Sequence, residues 1–254
     1  MIVRVDGPRS GAANMALDEA LLHAAATEGI SALRLYSWDQ PTLSFGRNEP
    51  ATRRYDRDAI TRLGIATVRR PTGGRAVWHD REVTYAVSGP VALFGSLRDT
   101  YREIHSLLAE ALNSLGAAVS LAADRTAAPL GAGACFAAPA GGEVVAAGGA
   151  KVVGSAQVRV GGAFLQHGSI LLHSDQRAIT GLTRGPAPEP RAVGLADLIG
   201  GARAVFAAVA GAVASRAIER WGAGNGGHDW PESVRSDAAG RLERFAGEEW
   251  TWRL

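Results

Sequence analysis

The chain has 254 residues, 46% of them hydrophobic and 20% charged, which is the make-up of a globular protein able to bury a substantial core. Its formal charge is only +2, a mild basic bias compatible with acidic protein partners and too weak to argue for nucleic acid. A single cysteine excludes an internal disulfide and any cysteine-based zinc cluster.

In chain order, the start MIVRVDGPRSG has charges and a proline where a signal peptide needs an apolar run. The longest apolar stretch, 204–214, is far short of a membrane span, so a cytoplasmic protein is expected. Ser10 is placed to cap a helix that carries Met15, Leu17, Leu21 and Leu22 on its apolar side and ends at Gly29. Asn14, Asp18 and Glu19 lie near its start, where acids favour the positive helix end. Strand-like runs follow at 33–38 and 42–45, with Asp39-Gln40-Pro41 as a turn between them. Residues 50–62 are polar and Arg-rich, a surface loop with a short helix. Residues 65–69 read as a strand that delivers the chain into RRPTGGRAVWHD (69–80), and 83–87 alternate as another.

Residues 99–115 form an amphipathic helix: Tyr101, Ile104, Leu107, Leu108, Ala111, Leu112 and Leu115 recur at spacings of three and four, and Gly116 closes it. Residues 118–122 are strand-like and 124–134 a loop. In 151–160, Val152, Ala156, Val158 and Val160 point one way, and Lys151, Val153, Ser155, Gln157 and Arg159 the other. Gly161-Gly162 signals a two-residue hairpin with 164–172 as partner strand. That register sets Gln157 opposite Gln166 and Ser155 opposite Gly168, and puts His167 beside Ala156, on the face away from Lys151. A Pro/Gly-rich surface loop, a helix over 202–221, a flexible joint at 224–227 and the closing EEWTWRL complete the chain, with no clear second domain.

Lys151 is the only lysine in a chain that otherwise carries its positive side-chain charge on arginine. An ammonium is compact and shifts its pKa readily when desolvated, as a guanidinium does not. A retained lysine therefore points to chemistry; the alternative is a chance survivor on the surface. Cys135 taken alone reads as a small buried hydrophobe. If the strands flanking 146–150 pair, Lys151 returns toward the residues preceding Glu143. An ammonium about 4 Å from a thiolate would favour the ionised sulfur by up to ~4 kcal/mol at a surface-like dielectric, enough to activate it. The run Arg69-Arg70-Pro71-Thr72-Gly73-Gly74-Arg75 is either a bed of backbone N–H groups flanked by positive charge or a tight turn with solvated arginines. It does not fit the P-loop pattern. His79 is a general-base candidate or a structural histidine.

RRPTGGRAVWHD and AKVVGSAQVRVGGAFLQHGSILL together resemble the biotin/lipoate protein ligase A/B superfamily, and NMALDEALL and EEWTWRL are similar to its lipoate branch. The resemblance implies an α+β fold, a mixed sheet flanked by helices, related to the catalytic domain of class II aminoacyl-tRNA synthetases. It implies one catalytic domain over 1–254, with a core at about 30–215 and a helical and extended tail at 216–254. Members move a lipoyl or octanoyl group onto a lysine of a lipoyl-carrier domain. Two branches are open: lipoate ligation with ATP and magnesium through an acyl-adenylate, and cofactor-free transfer from octanoyl-acyl carrier protein through a cysteine thioester.

The CFAAP segment is similar to the cysteine-bearing segment of the single-domain octanoyltransferases, so the resemblance favours the second branch. It then implies Cys135 as acyl carrier and Lys151 as the group that lowers its pKa. Around the substrate it sets Arg70, Thr72, Gly73, Gly74, Arg75, His79, Gly154, Ser155, Gln157, Gln166, His167 and Gly168. Implied acceptors are glycine-cleavage carrier protein or 2-oxoacid dehydrogenase subunits, with no metal, nucleic acid or membrane involved. A non-catalytic acyl- or carrier-binding paralogue, in which Cys135 is incidental, is the alternative of another class.

Overall fold

The computed structural model describes residues 1–123, 141–186, 189–222, 224–225 and 229–254. β1 (Ile2–Val5) leads into α1 (Gly11–Thr27), followed by β2 (Ala32–Tyr36) and β3 (Thr42–Phe45). Two short helices, α2 (Ala51–Arg54) and α3 (Arg57–Arg62), precede β4 (Ala66–Arg69), β5 (Val77–His79) and β6 (Glu82–Pro90). Then come α4 (Leu97–Ser114), β7 (Val119–Leu121), β8 (Val144–Ala146) and the hairpin of β9 (Val153–Val160) with β10 (Ala163–Leu171). The C-terminal part adds α5 (Leu195–Ile199), α6 (Phe206–Trp221), β11 (Gly224–Asn225), α7 (Glu232–Ala246) and α8 (Glu248–Thr251).

The strands make the expected mixed sheet: six in the order β11-β1-β2-β6-β10-β9, with β1 parallel to β11 and β2 and the other pairings antiparallel. A second sheet, β4-β3-β5, and the pair β7-β8 stand beside it. Side chains alternate along a strand, so the large sheet has two different faces. Leu33, Leu35, Val83, Tyr85, Val87, Phe164 and Ile170 share one core with Ile104, Leu107 and Leu112 of α4 and Val209 and Val213 of α6. Tyr36, Ala86 and Leu165 instead pack with Met15 and Leu22 of α1. Burying each of the large aliphatic side chains contributes about 1.5–3 kcal/mol.

Local sequence sets the helix ends. Ser10 accepts the Ala13 N–H and starts α1, and Ser96 with Asp99 forms a capping box on α4. α1 is buried on more than one side because it lies between the sheet and α7, so Asn14 and Asp18 are inside as well as Met15 and Leu21. The acids of α1 are therefore not helix-end charges. Asp18 Oδ1 accepts from Arg34 Nη1 at 2.9 Å, both fully buried, and Glu19 pairs with Arg241 and Arg244 of α7.

Three expectations about extent are corrected. The buried core reaches beyond 30–215: Val3, Leu17 and Leu21 are inside, and so are Trp230, Val234 and Phe245. Gly224 and Asn225 form an edge strand on β1 where a flexible joint was expected, and the helix α7 comes after it. The helix expected at 202 begins only at Phe206, because Val205 is extended and Gly200 turns the chain at φ +84°.

Candidate active site

β4 ends at Arg69, and Arg70 follows it with an opposite task. Arg69 is fully buried. Its Nη1 donates to the carbonyls of Gly46 and Glu49, each at 2.8 Å, and its Nε to Thr251 O at 3.0 Å. It thereby ties the C-terminal α8 to the end of β3. Burial, with repulsion from Arg253 and Arg70 opposed by Glu49, lowers the guanidinium to about 10. Arg70 turns to the other side. Its Nη1 donates to Ser44 O at 2.9 Å and Ser44 Oγ at 2.6 Å, and its Nη2 to Gly73 O at 3.2 Å and Arg75 O at 2.8 Å. Arg70 is thus a clamp on the glycine loop. Gly74 sits at φ +93°, and a Cβ on Gly46 would lie 1.9 Å from Gly74 O, so the two glycines bring loop and β3 into backbone contact.

Two histidine–carboxylate pairs hold this loop. His79 Nδ1 lies 2.8 Å from Glu82 Oε1 and its Nε2 2.6 Å from Ser44 Oγ. The ring stacks on Trp38 with centroids 4.0 Å apart. Burial lowers the His79 pKa, against the opposing pull of Glu82. His167 Nδ1 donates to Asp18 Oδ2 at 2.9 Å, and its Nε2 lies 2.6 Å from Thr72 Oγ1. His167 is on the α1 side of the sheet beside Ala156, in the expected register.

Lys151 lies just before β9, bridged to Val145 and Ala192. The chain does fold back through 146–150: Ala146 N–H donates to Ala150 O at 2.9 Å and Val152 N–H to Val144 O at 3.0 Å. Lys151 is 1% exposed, and its Nζ donates to Glu143 Oε1 at 2.6 Å. A chance surface lysine is excluded. Cys135 lies outside the described residues.

Beneath the lysine runs a one-directional chain of hydrogen bonds. Gln157 Nε2 donates to Gln166 Oε1 at 3.2 Å, Gln166 Nε2 to Tyr85 OH at 3.0 Å, and Tyr85 OH lies 2.6 Å from Ser155 Oγ. Ser155 Oγ is 2.7 Å from His105 Nε2, and His105 Nδ1 donates to Gly142 O at 2.8 Å. Burial lowers His105 to about 3, against the opposing pull of the Gly142 carbonyl and with a smaller push from Lys151. The ring is neutral, so Nε2 accepts from Ser155 and the chain has one polarity. It fixes Gly142, next to the carboxylate that holds Lys151.

Between these groups a narrow cavity of about 20 Å³ is lined by Met15, Tyr36, Trp38, Val77 and Ala156 on its apolar side and by Arg70, His79, Ser155 and His167 on its polar side. Of the expected site residues, Arg70, His79, Gly154, Ser155, His167 and Gly168 line it, and Thr72 touches it through His167. Gln157 and Gln166 belong to the chain behind Ser155. Gly168 is needed for space, since a Cβ there would lie 2.3 Å from Gly154 O. Gly73 and Arg75 serve through their carbonyls.

Sequence reasoning missed Ser44, Glu82, Tyr85, His105 and Glu143. The available signals were polar residues inside apolar patterns. His105 sits in the stripe of Ile104, Leu108 and Leu112, and Glu82 is three residues from His79 at the head of an apolar strand.

Residues 10–201 match the lipoyl protein ligase A/B catalytic domain family. The octanoyltransferase LipM of Kyrpidia tusciae is 40% identical over 268 residues, covering 97% of this chain and 96% of that protein. LipM of Carboxydothermus hydrogenoformans is 43% identical over 170 residues, 65% of this chain and 62% of that protein. Among solved structures, a lipoate-protein ligase A bound with ATP superposes with TM-score 0.82 at 21% identity, covering 99% of this chain and 98% of the other. A bipartite lipoate protein ligase from Thermoplasma acidophilum, studied with its E2 lipoyl domain, gives TM-score 0.77 at 21% identity over 99% and 96% of the two chains. At these identities the structural likeness is one of fold.

Proposed function

The chain belongs to the lipoyl protein ligase A/B catalytic domain family, and on that premise we propose that it is an octanoyltransferase of protein lipoylation working through a thioester on Cys135. The observation that carries this reading is the 40% identity to an octanoyltransferase over nearly the full length of both chains. The solved ligases support the same fold and leave the chemistry to the closer relatives.

The octanoyl group is taken up along the narrow cleft lined by Met15, Trp38, Val77 and Ala156, whose side chains part to admit it. Burying its six methylenes contributes about 5 kcal/mol to holding the acyl chain. The thiolate of Cys135 attacks the thioester of octanoyl-acyl carrier protein, the acyl–sulfur bond of the donor breaks, and the carrier thiolate leaves. Arg70 supplies positive charge and the Ser155 N–H a donor for the oxyanion. Lys151, held by Glu143, supplies the buried positive charge that favours a thiolate over a thiol. The neutral amine of a lipoyl-domain lysine then attacks the octanoyl carbonyl, the acyl–sulfur bond breaks with Cys135 leaving as thiolate, and the amine's extra proton passes to solvent as the amide forms.

The test is transfer to a purified lipoyl domain under two conditions. Octanoyl-acyl carrier protein without ATP gives an octanoylated domain on this reading. Modification only with lipoate, ATP and magnesium would replace it with the ligase, and inactivity in both assays with a binding protein.

A further inference from the structure

His79 carries both of its ring nitrogens in buried contacts, with Ser44 and with Glu82, and its face is covered by Trp38. No ring atom is left to take a proton from a substrate, although the residue lines the cavity. Its effect on the site has to pass through a neighbour. A carboxylate only accepts hydrogen bonds, so Nδ1 carries the ring proton. In the neutral ring Nε2 then accepts, the Ser44 hydroxyl donates to it, and Ser44 Oγ accepts from Arg70 Nη1 at 2.6 Å. Every group along Arg70, Ser44, His79 and Glu82 has one consistent role.

We propose that Glu82, His79 and Ser44 form a positioning relay for Arg70, fixing the guanidinium that lines the acyl cavity and clamps the glycine loop. This rests on the reading that the cavity takes the acyl chain. Glu82 anchors the far end: its Oε1 also accepts from Trp38 Nε1 at 3.2 Å, from Ser169 Oγ at 2.9 Å and from the Thr84 hydroxyl. Those partners come from β6, β10 and the segment just after β2, so the anchor is fixed to the large sheet. Ser44 is on β3 of the small sheet. The relay therefore spans the two sheets and delivers Arg70 to Gly73 O and Arg75 O, the carbonyls that shape the loop. The charged and titratable groups facing His79 are Glu82 from β6, Arg70 from the loop after β4 and His167 from β10. The Arg70 guanidinium opposes protonation of the ring, which would put a second donor onto Ser44 Oγ and break the order of the relay.

The experiment is a double-mutant cycle on kcat/KM for the octanoyl donor, with single-turnover acylation of the enzyme measured alongside. Ser44→Ala is expected to lose about 10- to 100-fold, the worth of one charge-assisted hydrogen bond. In an Arg70→Ala background the same substitution is expected to cost less than about twofold, because the group it positions is gone. Glu82→Gln provides a second entry at the far end, independent of how well Ser44→Ala folds, and its loss should vanish in the same background. Losses that multiply with Arg70→Ala, or wild-type kcat/KM in both relay variants, overturn the relay while leaving octanoyl transfer standing. Absence of octanoyl transfer by the unmodified protein overturns the reading beneath it and the relay with it.

Discussion

Lys151→Met removes the ammonium while keeping most of the side-chain volume. Lys151 and Glu143 are 2% and 5% exposed, with Nζ and Oε1 2.6 Å apart. The substitution takes the ammonium away from a buried carboxylate, which costs about 3–5 kcal/mol. Glu143→Gln alone leaves the ammonium facing a neutral amide and should cost about as much. Replacing both at once removes both charges, so the double variant should return to within about 1–2 kcal/mol of the unmodified protein. Urea unfolding at constant m-value measures this. Acyl transfer should behave differently, remaining absent in the double variant although its stability is recovered. Stability losses that simply add would refute the electrostatic coupling of the pair. Full transfer by the double variant would refute a chemical role for the lysine.

Three further outcomes follow from the geometry. His79 and His105 both have folded pKa values below the ordinary 6.5, caused first by burial, with His105 at about 3. Below 6.5 the unfolded chain therefore binds more protons, and stability should fall on acidification from about pH 6.5 toward 3 through His105, by up to about 1.4 kcal/mol per pH unit, with His79 adding a loss of the same sign below 6.5; a thermal midpoint that rises between pH 7 and 5 contradicts this. Gly46→Ala would drive a methyl to 1.9 Å from Gly74 O and should destabilise by about 3 kcal/mol or more, read from the unfolding midpoint. Ala156→Leu fills part of the acyl cavity, so KM should rise more for an octanoyl than for a butyryl donor, and equal changes for both would remove Ala156 from the acyl path.

Local pattern carried the elements whose side chains meet near neighbours in sequence. The hairpin at Gly161-Gly162 has the expected register because a two-residue turn and period-two alternation leave little choice. The α4 stripe and the Ser10 cap are local in the same way. What sequence could not show is pairing across elements. Asp18 reads as a helix-end acid until Arg34, Tyr36 and His167 are seen to converge on it. Glu143 is only a point the chain passes until folding back makes it the lysine's partner. Lys151 itself was legible from composition, since one lysine among arginines already asked for an ammonium. The covered α1 and α7 pair was not, because α7 has a weak apolar pattern and buries only Val234 and Phe245 fully.

The most direct measurement is the intact mass of the protein after incubation with octanoyl-acyl carrier protein in the absence of ATP. A single octanoyl adduct on the unmodified chain, lost in Cys135→Ser and released when a lipoyl domain is added, is the predicted result. An adduct that persists in Cys135→Ser, or octanoylation of the lipoyl domain by that variant at the unmodified rate, would contradict a thioester on Cys135.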